Sequence, residues 1–276
     1  MLRRLAIVLV VVVVSAAPAL AEAGRADALM RTLRLAEVIE IMRAEGMEHG
    51  AEIGASLLGP RAGRHWKMTV SGIYGTDRMT EMLGKRLSAA LPESDAALDA
   101  MIDFFGSERG QRLIELEIGA RRAMLDDEID AAAREALTEM QAADDPRLDR
   151  LRRFAEANDL VEENVAGGLN ATFAFYMGLL EGGAPEMPMG ESEVLADVWA
   201  QEAEIRADIE EWLFAFLALA YRPLDDDDLD AYIAFSESTE GQALNAALFA
   251  GFNAMFETIS RDLGLAAGRL LQGEDI

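Results

Sequence analysis

Cysteine is absent from the 276 residues. That excludes thiol catalysis, iron–sulfur clusters and cysteine-ligated zinc, and no disulfide can brace the fold. Histidine occurs twice, as His49 and His65, and neither stands in an H-E-x-x-H or paired E-x-x-H setting. There is no G-x-S-x-G turn for Ser/His/Asp chemistry, no phosphate loop and no G-x-G-x-x-G. Carboxylates abound, but nothing singles out two of them as a glycosidase-like acid/base pair. Period-two alternation is missing as well. The β-branched piece Met68 to Tyr74 is the one strand candidate, and it reads as helix. After the first 21 residues no run is long and apolar enough to span a bilayer.

Positive charge is also scarce, with 25 basic against 50 acidic residues and a net charge of −25. Such a chain repels phosphate backbones, which argues against nucleic-acid binding. It is equally ill suited to anionic membrane surfaces. The charge favours solubility, or a basic partner.

What is present begins with an export leader. Met1 to Arg4 is the charged start, Leu5 to Val14 the apolar run, and Ala19-Leu20-Ala21 the A-x-A cleavage site. The apolar run is short of the roughly 20 residues a spanning helix needs, so cleavage after Ala21 is expected, with no stable membrane insertion afterwards. The leader carries Arg3, Arg4 and no acid, so the mature chain keeps 23 basic and 50 acidic residues, a net −27. A periplasmic or secreted location follows. About 255 residues would remain, half of them apolar, enough to bury a core without disulfides.

The periodicity is helical nearly throughout. Leu35, Val38, Met42, Gly46, Ile53 and Leu57 make one apolar stripe. Ile114, Ile118, Leu125, Ile129, Ala132, Ala136 and Met140 make another, read as one long helix. Breaks fall at Leu58-Gly59-Pro60, Leu91-Pro92, Asp144 to Pro146, Gly182 to Gly190 and Arg222-Pro223. The break near the midpoint divides the chain into a leader (1–21), a first helical module (22–143) and a second (144–276).

The halves share a motif. LDAMIDFFGSERGQRL, Leu98 to Leu113, returns 131 positions later as LDAYIAFSESTEGQAL, Leu229 to Leu244. Ala89, Pro92 and Ala123-Met124 recur at the same offset as Ala220, Pro223 and Ala254-Met255. The expected architecture is therefore all-α, with two tandem, pseudo-symmetric multi-helix modules packed together. Within the motif, Ser107 and Ser238 read as N-caps. Gly110 and Gly241 fall at the third helical position. Glycine there costs about 0.8–1.0 kcal/mol relative to alanine, so a close approach between helices is expected in return. Gln111 and Gln242 can hydrogen-bond the backbone freed by the corner, and Phe104 and Phe235 are the shared core aromatics. Nothing in the motif is a nucleophile, a base or a metal set.

This corner resembles the core motif of the DUF2059 family, exported bacterial all-helical proteins of uncharacterised function, usually written F-Y-x-S-P-x-G-Q. Phe104-Phe105, Ser107, Gly110 and Gln111 carry the resemblance in the first copy, and Phe235, Ser238, Gly241 and Gln242 in the second. The proline is replaced by Glu108 and Thr239, both acceptable at the first helical position, and Ser236 stands where the second aromatic would be. The resemblance implies a fold and brings no reaction with it.

Outside the motif, four features carry candidate chemistry. Arg61, Arg64, His65 and Lys67 surround Trp66 after Pro60, a basic cluster with an aromatic anchor in a loop, suited to an anionic ligand or acidic partner. The alternative turns Trp66 inward. Glu45, His49 and Glu52 share a helix face, with His65 as a possible fourth metal ligand, but solvated glutamates on a helix edge explain them as well. Asp226, Asp228, Asp230 and Glu237 fit calcium-loop positions 1, 3, 5 and 12, yet Ala231 stands where the turn glycine belongs, and an acidic helix cap explains them better. Met187-Pro188-Met189 offers thioethers for Cu(I). Gly46, Gly50 and Gly54 form a stripe on which another helix can cross closely. No metal or cofactor is assigned. The leading expectation is a non-catalytic interaction or binding protein with a protein partner in the cell envelope. The alternatives are an envelope hydrolase using carboxylates or a metal, and a carrier holding an apolar ligand between the modules.

Overall fold

Among the described residues, 17–184 and 190–273 of a computed structural model, every regular element is helical. Residues 1–16, which hold most of the expected leader, and the methionines at 187 and 189 lie outside them. The first half contains α1 (Ala17–Thr32), α2 (Leu35–Ile53), α3 (Arg64–Ile73), α4 (Thr76–Ala90), α5 (Asp95–Gly106), α6 (Glu108–Ala123) and α7 (Asp127–Ala142). The second contains α8 (Arg147–Ala157), α9 (Leu160–Glu181), α10 (Glu191–Ala200), α11 (Glu202–Tyr221), α12 (Asp226–Ser236) and α13 (Thr239–Gln272). None of these helices is long and apolar enough to cross a membrane.

The long helix expected from Ile114 to Met140 is two helices. Arg121 and Arg122 close α6, where cations suit the negative end of the dipole. Asp126 then accepts from the Glu128 amide at 2.9 Å and caps α7. Leu125 and Ile129 consequently stand at the exposed junction instead of continuing the stripe. At the matching place in the second half, Glu257 replaces Asp126. Its longer side chain is a poorer cap, and α13 runs on unbroken for 34 residues. The stripe of α2 is also corrected at its end. The chain widens into a π turn over Gly54–Leu58, which shifts the phase and buries Leu58 while Leu57 faces outward.

Helix α13 is the spine. On one side α9 crosses it with the main chains in contact. A Cβ on Gly178 would stand 2.1 Å from the Arg261 carbonyl oxygen, and one on Gly264 would stand 2.0 Å from that of Phe175. On its other side Gly251 admits Leu83 of α4. One apolar cluster runs through both halves, from Leu29 to Ala267. A smaller one, Val165, Leu169, Val194 and Val198, joins α10 to α9.

The two motif corners sit against each other. The rings of Phe104 and Phe235 stack with centroids 4.0 Å apart and planes 11° from parallel. Ser107 Oγ accepts from the Gly110 amide at 3.0 Å and donates to the Phe104 carbonyl at 2.6 Å. Ser238 makes the same two bonds, to Gly241 and Phe235, at the same distances. A Cβ on Gly110 or Gly241 would come within 2.2 or 2.0 Å of the carbonyl oxygen of the preceding helix, which is why both positions lack one. Gln111 Nε2 donates to Phe105 O (2.8 Å) and to Thr32 O at the end of α1 (2.9 Å). Gln242 donates to Ser236 O (2.8 Å) and to Ala157 O at the end of α8. Each glutamine thus ties its corner to the end of a distant helix. Two residues beyond each tie, Arg34 and Asp159 take left-handed conformations (φ 53° and 50°) and turn the chain into α2 and α9.

Candidate functional site

Helices α2, α6, α9 and α13 line a half-open cavity of about 520 Å3, to which Phe105, Phe216 and Tyr232 also contribute. Its volume falls in the range of small-molecule sites, about 300–1,000 Å3. The wall is chiefly apolar. Leu35, Val38 and Met42 come from α2, and Ile114 and Ile118 from α6. Leu248, Phe249, Phe252 and Phe256 come from α13. On the α9 side Gly167, Gly168 and Ala171 line the space, and Gly167 lets Asn253 of α13 approach, its Oδ1 2.6 Å from where a Cβ would stand.

One carboxyl interrupts this surface. Glu117 lies on α6 between Ile114 and Ile118, on the face turned to the cavity. Tyr221 Oη donates to its Oε1 at 2.7 Å. The Tyr232 hydroxyl lies close by and, like that of Tyr221, favours the ionised carboxyl. Both tyrosines are buried, and Tyr232 packs on Phe154 and on the Phe104–Phe105 pair. Burial pushes the Glu117 carboxyl above the usual carboxylate range, and the two phenols offset only part of that. Burial, reinforced by the nearby carboxylate, likewise holds both phenols well above their ordinary value. One turn along, Arg121 closes the same wall. Its guanidinium is matched in a two-pronged bond to Glu45 of α2, 2.9 Å on each prong, and lies 6.0 Å over the Trp212 ring.

The sequence reading passed over Glu117. A signal was present: Leu113, Ile114, Glu117 and Ile118 fall on one helix face, and an acid in the middle of an apolar face needs a partner or a purpose. The tyrosines that answer it lie more than 100 positions away, which no local pattern reveals.

The basic cluster is placed differently from the expectation. Arg61 ends a short 3-10 turn, and Arg64 to Lys67 form the first turn of α3 instead of a loop. Trp66 is 1% exposed, so it is no surface anchor. Its ring fits over Gly54, and its Nε1 donates to the Gly50 carbonyl at 2.7 Å. The reason is the glycine stripe: Gly46, Gly50 and Gly54 receive Tyr74, Val70 and Trp66 in turn, so α3 lies in the groove of α2. Arg61, Arg64, His65 and Lys67 remain exposed on the rim.

Of the candidate metal ligands, one is engaged elsewhere. Glu45 faces Arg121, while His49 and Glu52 are exposed, 3.7 Å apart. The acidic run at Asp225 opens α12, its own carboxylate accepting from the Asp228 amide at 2.8 Å. The following acids meet arginines: Asp226 and Asp230 face Arg150, Asp228 faces Arg109 and Glu237 faces Arg153. These acids therefore dock α8 and α6 on α12, and α12 is a helix where a calcium site needs a loop.

Residues 77–139 match the family described as "Uncharacterized protein conserved in bacteria (DUF2059)". The match runs from the start of α4 nearly to the end of α7. It contains the first corner and Glu117, and is a single copy. None of the curated proteins and none of the solved structures compared with the chain matches it.

Proposed function

We propose that the protein is a non-catalytic binding protein of the cell envelope, exported by its leader, that holds an apolar ligand between two similar helical modules. The observation that carries this reading is the cavity. It is apolar, of ligand size, and walled by α2 and α6 from one half and by α9 and α13 from the other. Its lining supports the modular reading too. At the offset of the motif, Ile114, Glu117, Ile118 and Arg121 correspond to Asn245, Leu248, Phe249 and Phe252, and all eight line the cavity. Leu35 and Leu160, each one residue after a left-handed turn, line it as well. A ligand would then sit on the axis relating the modules. The exposed Arg61, Arg64, His65 and Lys67 supply a separate surface for an acidic envelope partner.

A cavity-filling substitution tests the reading. Ala171→Phe, from the α9 wall, abolishes binding of a neutral fluorescent probe such as N-phenylnaphthylamine, and Val38→Phe does the same from the α2 wall. Overpacking of this kind costs about 1–3 kcal/mol, so both variants remain folded by circular dichroism. Unchanged probe binding in both folded variants would place the ligand elsewhere and sink the proposal.

A further inference from the structure

The polar end of the cavity has a definite chemistry. Glu117 receives a hydrogen bond from the Tyr221 phenol with that of Tyr232 close by, and among the described residues no arginine, lysine or histidine pairs with it. The one cation on the wall, Arg121, is already matched by Glu45. Three asparagines stand on the wall: Asn164 Nδ2 donates to the Leu160 carbonyl at 2.7 Å, Asn245 Nδ2 donates to the Asn158 carbonyl at 2.6 Å, and Asn253 faces them from α13. The wall therefore offers neutral amides and one carboxyl and, among the described residues, no free cation.

We propose, resting on the reading above, that the ligand class is an apolar molecule bearing a protonated amine, whose ammonium pairs with Glu117 while its hydrocarbon part fills the cavity. An ammonium brings three donors and the missing charge to a carboxylate that the fold leaves without a cation. The phenol of Tyr221 holds that carboxyl in place through one oxygen, Oε1, and leaves Oε2 for the ligand. An anionic lipid meets the opposite situation: it finds no free cation on the wall, since Arg121 is occupied, and the chain as a whole carries −25. A neutral alcohol gains the apolar contacts without the ion pair.

Competition against the neutral probe separates these classes. Dodecylamine, dodecanol and dodecanoate are titrated below their aggregation limits at pH 7 and 0.15 M salt, where the Debye length of about 8 Å screens attraction to the outer surface. Dodecylamine is expected to displace the probe at a concentration at least about tenfold lower than dodecanol, a factor equal to about 1.4 kcal/mol, with dodecanoate the weakest. Glu117→Gln is expected to remove the amine's advantage while leaving dodecanol within about threefold of its original value, which also shows the variant's cavity intact. Dodecanoate binding as well as the amine, or an amine preference that survives Glu117→Gln, overturns the assignment of ligand class and leaves the cavity reading standing. Failure of the parent protein to bind the probe or any of the three overturns both.

Discussion

Replacing Gly264 with alanine lowers the unfolding free energy by about 3 kcal/mol, where an exposed helical glycine-to-alanine change would raise it by up to about 1 kcal/mol. The sign reverses because of what the added Cβ meets. It would stand 2.0 Å from the carbonyl oxygen of Phe175 and 2.8 Å from the amide nitrogen of Leu179. Both are main-chain atoms of α9, so no side chain can rotate out of the way. The whole of α9 has to move off α13, and Gly178, Gly182 and Gly268, packed by the same contact, lose their fit with it. Because α9 also supplies Gly167, Gly168 and Ala171 to the cavity wall, the variant should bind an apolar probe less well, too. Urea unfolding followed by circular dichroism measures the effect. A variant as stable as the parent, or more so, would show that the two backbones are not in contact.

Truncating Trp66 to alanine costs about 3–5 kcal/mol, the range for removing a large buried aromatic. The indole is among the largest fully buried side chains, and its loss empties the groove over Gly54 and leaves the Gly50 carbonyl without its 2.7 Å donor. For a chain of this size that is a fall in Tm of roughly 10 °C, measured by calorimetry. Trp66→Phe keeps most of the packing and loses the hydrogen bond, so its cost should be nearer 1 kcal/mol. Had the indole been a surface anchor, both changes would fall within about 0.5 kcal/mol of the parent.

These two positions also mark how far the sequence could be read. The glycine stripe of α2 and the capped serine–glycine corners were legible, because spacing and residue type alone imply a close helical crossing and a cap. The break between α6 and α7 was missed because an apolar stripe at helical spacing continues straight through it. The Asp126 cap that ends it is a single residue among many acids. Trp66 was ambiguous for a related reason: its neighbours Arg64, His65 and Lys67 are exposed, and a helix start that puts three polar residues outside and one indole inside looks in sequence like a basic loop. The cavity lay beyond reach. It is defined by what four helices from both halves leave unfilled, and its one carboxyl takes its hydrogen bond from Tyr221 of α11.

The most direct measurement of the central claim is photolabelling of the intact protein with a neutral alkyl diazirine, followed by peptide mapping. The account predicts labels on the cavity walls, within Ile114 to Ile118 of α6 and Leu248 to Phe256 of α13, and their loss in Ala171→Phe. Labels confined to the exposed apolar side chains Met68, Leu195 and Trp199, with none on those two walls, would contradict it.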